Sequence, residues 1–318
     1  MILKAEMEHY VTYFDSFFLP QGLALYRSME NYAGEFTLWI LCMDEETSNV
    51  LNRLSLKNSR LLNLLDYENE ELIRIKPDRT LVEYYWTLTP FVPKFVFDTD
   101  ESVKRVTYID ADLWFRKSPA PIFREFESSG KHVLITDHGY TPMYDHSAKN
   151  GQYCVQFIIF TRGKSEIVRR WWAERCLEWC HAYIEDGKFG DQKYLDEWPK
   201  LFSDYVHILN HPEWTLAPWN ADRFPYGNGI FFHFHGLRLI DNGYVNLGDY
   251  PLPKVLIRNL YIPYIDCLKS VIEDLYVINY KIKYQQKRTT IYKSINYILS
   301  FIRLHISNIL LRYIKWRS

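Results

Sequence analysis

The chain has 318 residues, which is enough for one large domain or for one domain with an appendage. Hydrophobic residues make up 47% and charged residues 24% of the sequence, the balance of an ordinary folded protein. Five irregularly spaced cysteines argue against a disulfide framework. The amino terminus is too charged for a signal peptide, and no apolar run reaches the roughly 18 residues of a membrane span, so we expect neither export nor a transmembrane helix.

The net charge of −1 hides an uneven distribution. Residues 275–318 contain nine Lys or Arg and no Asp or Glu, whereas the whole chain has 38 basic and 39 acidic residues. The first 274 residues therefore carry 29 basic and 39 acidic side chains, a charge of −10, and the tail carries +9. Such a split indicates two functional parts. We predict a domain over residues 1–250 and a helical, basic, membrane-associating region over 251–318.

Strands and helices alternate along the first part of the chain. The expected elements are a strand at 8–15, a helix at 19–32, a strand at 36–43, a helix at 46–56, a strand at 60–65 and two short helices within 80–97. The strand at 36–43 is apolar along its whole length, which is typical of a parallel strand covered on both faces. This order predicts an α/β fold with a mostly parallel sheet.

The pattern continues through the middle of the chain. The expected elements are strands at 106–109, 132–136, 153–160, 206–209 and 229–234, and helices at 119–126, 166–184 and 190–198. The intervening loop at 211–228 is rich in Pro, Trp and Asn. Long loops of this kind usually line a site.

Apolar residues from Ile291 to Tyr313 follow helical spacing, and Lys and Arg lie between them. A basic amphipathic helix with Trp and Tyr is typical of a membrane interface, where each basic residue near an anionic leaflet contributes about 1 kcal/mol. We therefore expect the tail to bind an anionic membrane surface. The alternative is that this helix packs on the acidic surface of the domain itself. The tail is too apolar for a nucleic-acid-binding arm, so we expect no nucleic-acid partner.

The strand at 106–109 ends in two aspartates one residue apart, Asp110 and Asp112. In open α/β sheets, ligands bind at the carboxyl edge of the strands. Carboxylates there offer oxygen ligands to Mg²⁺ or Mn²⁺, and the remaining coordination positions are open to substrate phosphates. The alternative is a strand followed by a solvated turn, because aspartate favours turns.

Two later motifs favour the metal site. Asp191 and Gln192 begin a predicted helix, and His233 and Gly236 form a His-x-x-Gly motif at the end of a predicted strand. Each motif alone is weak evidence for a metal site, since a histidine at a strand end is usually structural. Together with the aspartate pair they supply carboxylates and an imidazole, a set of ligands suited to Mn²⁺.

With these motifs in this order, residues 10–241 resemble the GT-A-fold nucleotide-sugar glycosyltransferases, and family 8 in particular. The resemblance is carried by EYYWTLTP at 83–90, VTYIDADLWF at 106–115, DQKYLDEWP at 191–199, LAPWN at 216–220 and HFHG at 233–236. It implies a Rossmann-like mixed sheet flanked by helices, followed here by the basic amphipathic helical tail.

The resemblance also implies the ligands of a Mn²⁺ or Mg²⁺ ion. Asp110, Asp112 and His233 would bind the cation that bridges the donor diphosphate, with Asp110 also approaching the ribose. His235 would be the reserve ligand. The usual Lys-Pro-Trp after His-x-x-Gly is missing, and Arg238 is the expected diphosphate cation in its place.

For the rest of the donor, the resemblance implies that Thr12 and Asp15 contact the nucleobase and that Asp191 and Gln192 lie beside the transferred sugar. It further implies a hexosyltransferase that retains anomeric configuration, with a UDP-sugar as the expected donor. The acceptor would be a saccharide or a lipid-linked saccharide in cell-surface polysaccharide biosynthesis. We expect the enzyme in the cytoplasm, on the inner face of the cytoplasmic membrane.

One departure from the family favours a different function. Where family members carry Asn-x-Gly, this chain has Cys154, Val155 and Gln156. The alternative is therefore a catalytically inactive GT-A domain that acts as a membrane-peripheral binding or scaffold protein. A phosphotransferase of the haloacid dehalogenase type also uses Asp-x-Asp, but there the pair ends the first strand, and here at least three predicted strands precede it.

Overall fold

A seven-stranded sheet lies at the centre of the protein, and its strand order is β3-β2-β1-β4-β7-β6-β8. The structure, a computed structural model, describes residues 7–240, 244–284 and 313–315. The strands in these ranges are β1 (Glu8–Phe14), β2 (Phe36–Cys42), β3 (Ser59–Asn63), β4 (Arg105–Ile109), β5 (Leu113–Phe115), β6 (Val133–Asp137), β7 (Tyr153–Thr161), β8 (Val206–Ile208), β9 (Thr215–Leu216), β10 (Phe231–His233), β11 (Arg238–Ile240), β12 (Tyr244–Asn246) and β13 (Tyr313–Lys315). Among the described strands of the central sheet, β7 alone runs antiparallel to its neighbours. The predicted mixed, mostly parallel sheet is confirmed.

Helices cover both faces of this sheet. The α-helices of the described ranges are α1 (Leu19–Tyr32), α2 (Glu45–Leu54), α3 (Glu70–Ile75), α4 (Leu81–Leu88), α5 (Val92–Thr99), α6 (Ala120–Ser129), α7 (Ser147–Asn150), α8 (Glu166–Glu178), α9 (Trp198–Leu201), α10 (Lys254–Leu256) and α11 (Ile262–Val277). In β2, Leu38 and Ile40 join one hydrophobic cluster, while Trp39 and Leu41 join another on the opposite face. Burial on both faces explains why every residue of this strand except Thr37 is apolar.

Helix α8 is shorter than the 166–184 predicted from periodicity, since it ends at Glu178. The following residue, Trp179, is extended, and the buried carboxylate of Glu83 then accepts a hydrogen bond from the Ala182 backbone N–H at 2.8 Å. A hydrogen bond from a backbone N–H to an ionised carboxylate is strong, so this bond stabilises the non-helical conformation of the chain after Glu178. The predicted helix at 190–198 is a 3₁₀ helix, Gln192–Glu197, that continues into α9.

A second sheet of three strands, in the order β5-β10-β9, stands at the carboxyl edge of β4. Strand β5 is three residues long and is separated from β4 by only Asp110, Ala111 and Asp112. It pairs antiparallel with β10, so that Leu113 lies opposite His233. The sequence predicted the strand at 229–234 but not β5, because three residues are too few to show a periodic pattern.

The described part of the C-terminal region packs on the domain. Helix α11 contacts α1, and its buried residues belong to the same hydrophobic cluster as Tyr10 of β1. Ile282, beyond the helix, is also buried in that cluster. The division of the chain at residue 250 remains a prediction. Within the described ranges, no helix is both long enough and apolar enough to cross a membrane.

The predicted tail helix is wrong at Tyr313, because Tyr313–Lys315 forms strand β13, antiparallel to β12. Pairing with the open edge of β12 satisfies backbone groups of both segments, a long-range effect that periodicity does not report. The rest of the predicted amphipathic helix, in residues 285–312 and 316–318, lies outside the described residues.

Candidate functional site

Two strand pairings bring Asp110, Asp112 and His233 together. The Asp110 N–H donates to the Gln156 carbonyl at 3.1 Å, which fixes the end of β4 against β7. The Phe234 N–H donates to the Asp112 carbonyl at 3.0 Å, which fixes the end of β10 against the start of β5. The side chains of the aspartates and the histidine therefore meet at the carboxyl edge of the central sheet, as the sequence predicted.

The spacing of these three side chains fits one metal ion. One ligand atom from each of Asp110, Asp112 and His233 lies within 4.8 Å of the others. His233 Nε2 is 3.0 Å from Asp112 Oδ1 and 3.7 Å from Asp110 Oδ2. Two ligands about 2.1 Å from an octahedral ion and 90° apart lie about 3 Å from each other. Two carboxylate oxygens and an imidazole nitrogen suit Mn²⁺, or Mg²⁺ with water completing its shell.

The charges of the cluster also favour a cation. Burial is the largest single effect on Asp112 and disfavours its ionised form, but the charge and hydrogen bond of His233, together with the charges of Arg238 and His235, outweigh it and hold the pKa of that carboxyl below its usual range. At Asp110, burial and the negative charge of Asp112 outweigh the charge of His233, and the pKa of the Asp110 carboxyl is raised. Burial lowers the pKa of His233, but the two carboxylates outweigh burial and raise it overall. A histidine that binds a metal must be neutral, and the two carboxylates then carry two negative charges that a divalent ion would neutralise.

Two residues that the sequence did not single out as site residues contact these side chains. The Tyr108 hydroxyl donates to Asp110 Oδ1 at 2.8 Å. The Gln156 side-chain oxygen lies 2.9 Å from His233 Nδ1. Tyr108 lies two positions before Asp110, and the two-residue period of a strand places both on one side of the sheet. That spacing could have identified Tyr108, whereas the contact of Gln156 depends on the pairing of two sheets.

Asp191 is 4% exposed, and its Oδ2 has no hydrogen-bond partner in the described protein. Burial, together with the negative charge of Asp110, raises the pKa of Asp191 to about 7. Gln192 makes a different contact, because its amide nitrogen donates to the Asn150 carbonyl at 2.8 Å. Of the two predicted catalytic residues, Asp191 is therefore electrostatically linked to the cluster of Asp110, Asp112 and His233, and Gln192 is bonded to the neighbouring loop.

Arg238 lies beside the cluster, close enough for its charge to help lower the pKa of Asp112. Its guanidinium stands 4.6 Å from the centre of the Phe18 ring, a cation–π contact that orients a partly buried cation. Burial lowers the pKa of Arg238, with Asp112 opposing the shift. His235, the reserve ligand, is exposed and is not one of the three clustered ligands.

The aromatic loop at 211–228 does line the cluster. The Trp219 ring packs edge-on against His233 and His235, with ring centres 5.4 and 5.5 Å apart. Its indole N–H donates to the His138 carbonyl at 3.0 Å, and Asn220 donates to the same carbonyl at 2.8 Å. These bonds fix the indole as one wall of the site.

The predicted nucleobase residues differ in accessibility. Thr12 is fully buried in β1, and its hydroxyl has no partner within the described ranges. Asp15 is partly buried, and its Oδ1 accepts the Phe17 and Phe18 backbone N–H groups at 3.0 and 3.2 Å. The Tyr85 hydroxyl donates to Asp15 Oδ2 at 3.3 Å. Their contact with a nucleobase remains a prediction.

A relative shows the family of this chain. The uncharacterized protein YfnF of Bacillus subtilis is 34% identical over 240 residues, which span 70% of this chain and 79% of the relative. The chain belongs to the YfnF family. No protein-family profile matches the sequence.

Solved structures show the fold. The bifunctional glycosyltransferase WbbM, in its apo form, matches 85% of this chain with a TM-score of 0.52 and 13% identity, and the match covers 52% of that protein. The galactosyltransferase LgtC, in complex with donor and acceptor sugar analogs, matches 82% of this chain and 95% of its own length, with a TM-score of 0.50 and 13% identity. The predicted GT-A fold is confirmed.

Proposed function

We propose that this protein is a metal-dependent glycosyltransferase related to family 8. It would transfer a hexose from a nucleoside-diphosphate sugar, with a UDP-sugar as the expected donor, to a saccharide or lipid-linked acceptor in cell-surface glycan synthesis. The observation that carries this proposal is the cluster of Asp110, Asp112 and His233 at the carboxyl edge of a GT-A sheet. That WbbM and LgtC, which share the fold, are described as glycosyltransferases supports it.

The residues of the site suit cleavage of a sugar–phosphate bond, because that step leaves negative charge on a diphosphate. Mn²⁺ or Mg²⁺ held by the three ligands would act as a Lewis acid on the leaving diphosphate. Arg238 would add guanidinium donors that match phosphate oxygens. Its contact with Phe18 holds the cation in place before the substrate arrives. Charge that is oriented in advance is usually the largest single contribution to such a reaction.

Asp191 would contact the transferred sugar. A buried carboxyl with a pKa near neutrality and a free oxygen can donate or accept a hydrogen bond with a sugar hydroxyl. Retention of anomeric configuration, which the family-8 resemblance implies, requires either a nucleophile or attack from the front face. Asp191 is the carboxyl we propose to stabilise the reacting carbon, and Gln192 would hold the adjacent loop through the Asn150 carbonyl.

A screen for donor hydrolysis tests this function. The full-length protein would be incubated with Mn²⁺ and UDP-, GDP- and TDP-sugars, and nucleotide release would be measured. We expect release from at least one donor and its loss with EDTA. No release from any donor, together with no metal-dependent thermal shift, would support the alternative of an inactive binding or scaffold protein.

We further propose that the tail holds the enzyme at the inner face of the cytoplasmic membrane, near a lipid-linked acceptor. The nine basic residues of 275–318, with no acidic residue among them, support this. Because Lys283 donates to Ser16 Oγ at 2.9 Å, the test should neutralise charges beyond it rather than truncate the chain. Sedimentation with anionic liposomes should fall when Lys287, Arg288 and Lys293 become Gln. Equal sedimentation of this variant and the wild type would count against the proposal.

A further inference from the structure

Gln156 contacts two of the three candidate metal ligands, and we propose that it is the positioning residue that keeps His233 ready to bind the cation. This inference rests on the proposed function, because it concerns the metal site of the same reaction. Gln156 lies in the segment where the resembling family carries Asn-x-Gly. The departure from the family pattern at Gln156, which would otherwise favour an inactive protein, is thus proposed to support the metal site.

Gln156 joins the two sheets that supply the ligands. Its main-chain carbonyl accepts the Asp110 N–H at 3.1 Å, at the end of β4. Its side-chain oxygen lies 2.9 Å from Nδ1 of His233, at the end of β10. One residue of β7 therefore sets the position of Asp110 through the backbone and the position of His233 through the side chain.

The side-chain contact also decides which imidazole nitrogen faces the aspartates. An amide oxygen can only accept, so the bond to Gln156 places a hydrogen on Nδ1 of His233. Nε2 then points to the carboxylates, 3.0 Å from Asp112 Oδ1 and 3.7 Å from Asp110 Oδ2. Metal-binding histidines commonly donate their second N–H to such an acceptor, which fixes both the tautomer and the ring orientation.

Stability of the fold does not explain a glutamine at this position. Gln156 is fully buried, and its side-chain nitrogen has no hydrogen-bond partner in the described protein. A buried donor without a partner destabilises the folded state. An apolar side chain of similar length would remove this unpartnered donor but leave the buried His233 N–H without its acceptor, so one unpartnered donor would replace another. Ring positioning is therefore what the glutamine provides.

Manganese binding to the full-length protein tests this role without any need for a sugar donor. Free Mn²⁺ would be titrated by its EPR signal for the wild type, Gln156→Met and Gln156→Glu. Methionine removes the acceptor and glutamate keeps it, so we expect Gln156→Met to weaken Mn²⁺ binding by about 10- to 100-fold. Gln156→Glu should bind at least as tightly as the wild type. The control is Gln21→Met, the same change at a buried glutamine that makes no hydrogen bond to the three ligands.

Thermal unfolding in EDTA separates a positioning role from a structural one. Gln156→Met should unfold close to the wild-type temperature, because the lost bond to His233 is offset by removal of the unpartnered amide. Equal Mn²⁺ binding by the wild type and Gln156→Met would overturn the role of Gln156 and leave the proposed function standing. Absence of Mn²⁺ binding by the wild type would overturn both. If Gln156→Met does not fold, the Mn²⁺ affinity of Gln156→Glu is the deciding measurement. Binding as tight as that of the wild type supports the role, and loss of binding by this variant refutes it.

Discussion

Asp191→Asn should make the metal-free protein more stable at alkaline pH. Burial and the charge of Asp110 raise the pKa of this carboxyl from its usual 3.8 to about 7. At a pH between these two pKa values, the Asp191 carboxyl keeps its proton in the folded protein but has lost it in the unfolded chain. Stability therefore falls as the pH rises through this window, and the full loss is present above pH 7. Asparagine has nearly the same shape and cannot ionise, so it removes this loss.

The size of the effect follows from the pKa difference. A difference of about 3 units, at about 1.4 kcal/mol per unit, corresponds to on the order of 4 kcal/mol. The free energy of unfolding of Asp191→Asn should thus match the wild type near pH 4 and exceed it by up to about that amount at pH 8. Because Asp191 is 4% exposed, solvent screening reduces this value little.

Urea unfolding in EDTA, from pH 4 to pH 8, is the assay. Asp204→Asn is the matched control, because it is the same substitution at an exposed position. The control should follow the wild type at every pH. The same pH dependence for Asp191→Asn and the wild type, or a less stable variant at pH 8, would refute the account of a buried carboxyl near Asp110.

Two further substitutions test the surroundings of the candidate metal site. Tyr108→Phe removes the hydrogen bond to Asp110 Oδ1, so Mn²⁺ affinity measured by calorimetry should fall by about 10-fold, within the range for lost outer partners of ligands. Unchanged affinity would show that Asp110 needs no such support. Arg238→Gln should weaken binding of a nucleoside diphosphate by about 10- to 100-fold, as for a lost charge-assisted bond, while binding of Mn²⁺ alone persists. Equal loss of both would assign Arg238 to the metal cluster instead.

The parts of the fold that depend on local sequence were predictable. Helix α1, at Leu19–Tyr32, has the predicted bounds, and β1, β2 and β4 lie within a residue or so of theirs. Long apolar runs, and a proline in the first turn of the helix, report local structure directly. The same reasoning placed Asp110 and Asp112 at a sheet edge, because the strand before them ends abruptly.

Features that depend on distant parts of the chain were not predictable. Strand β5 exists because β10, more than 110 residues later, pairs with it. Strand β13 likewise forms on the edge of β12. The contact of Gln156 with His233 joins two sheets, and no spacing along the sequence reports it. The family resemblance linked His233 to the aspartates, but it made Gln156 a reason for inactivity rather than a support for the site.

The central claim is that Asp110, Asp112 and His233 hold the cation that binds the donor diphosphate. Calorimetric binding of UDP with Mn²⁺ and with EDTA, to the wild type and to Asp112→Asn, tests it most directly. The account predicts Mn²⁺-dependent binding by the wild type and none by the variant, whose circular dichroism should be unchanged because asparagine fills the same space. Mn²⁺-dependent UDP binding that survives in a folded Asp112→Asn protein would contradict it.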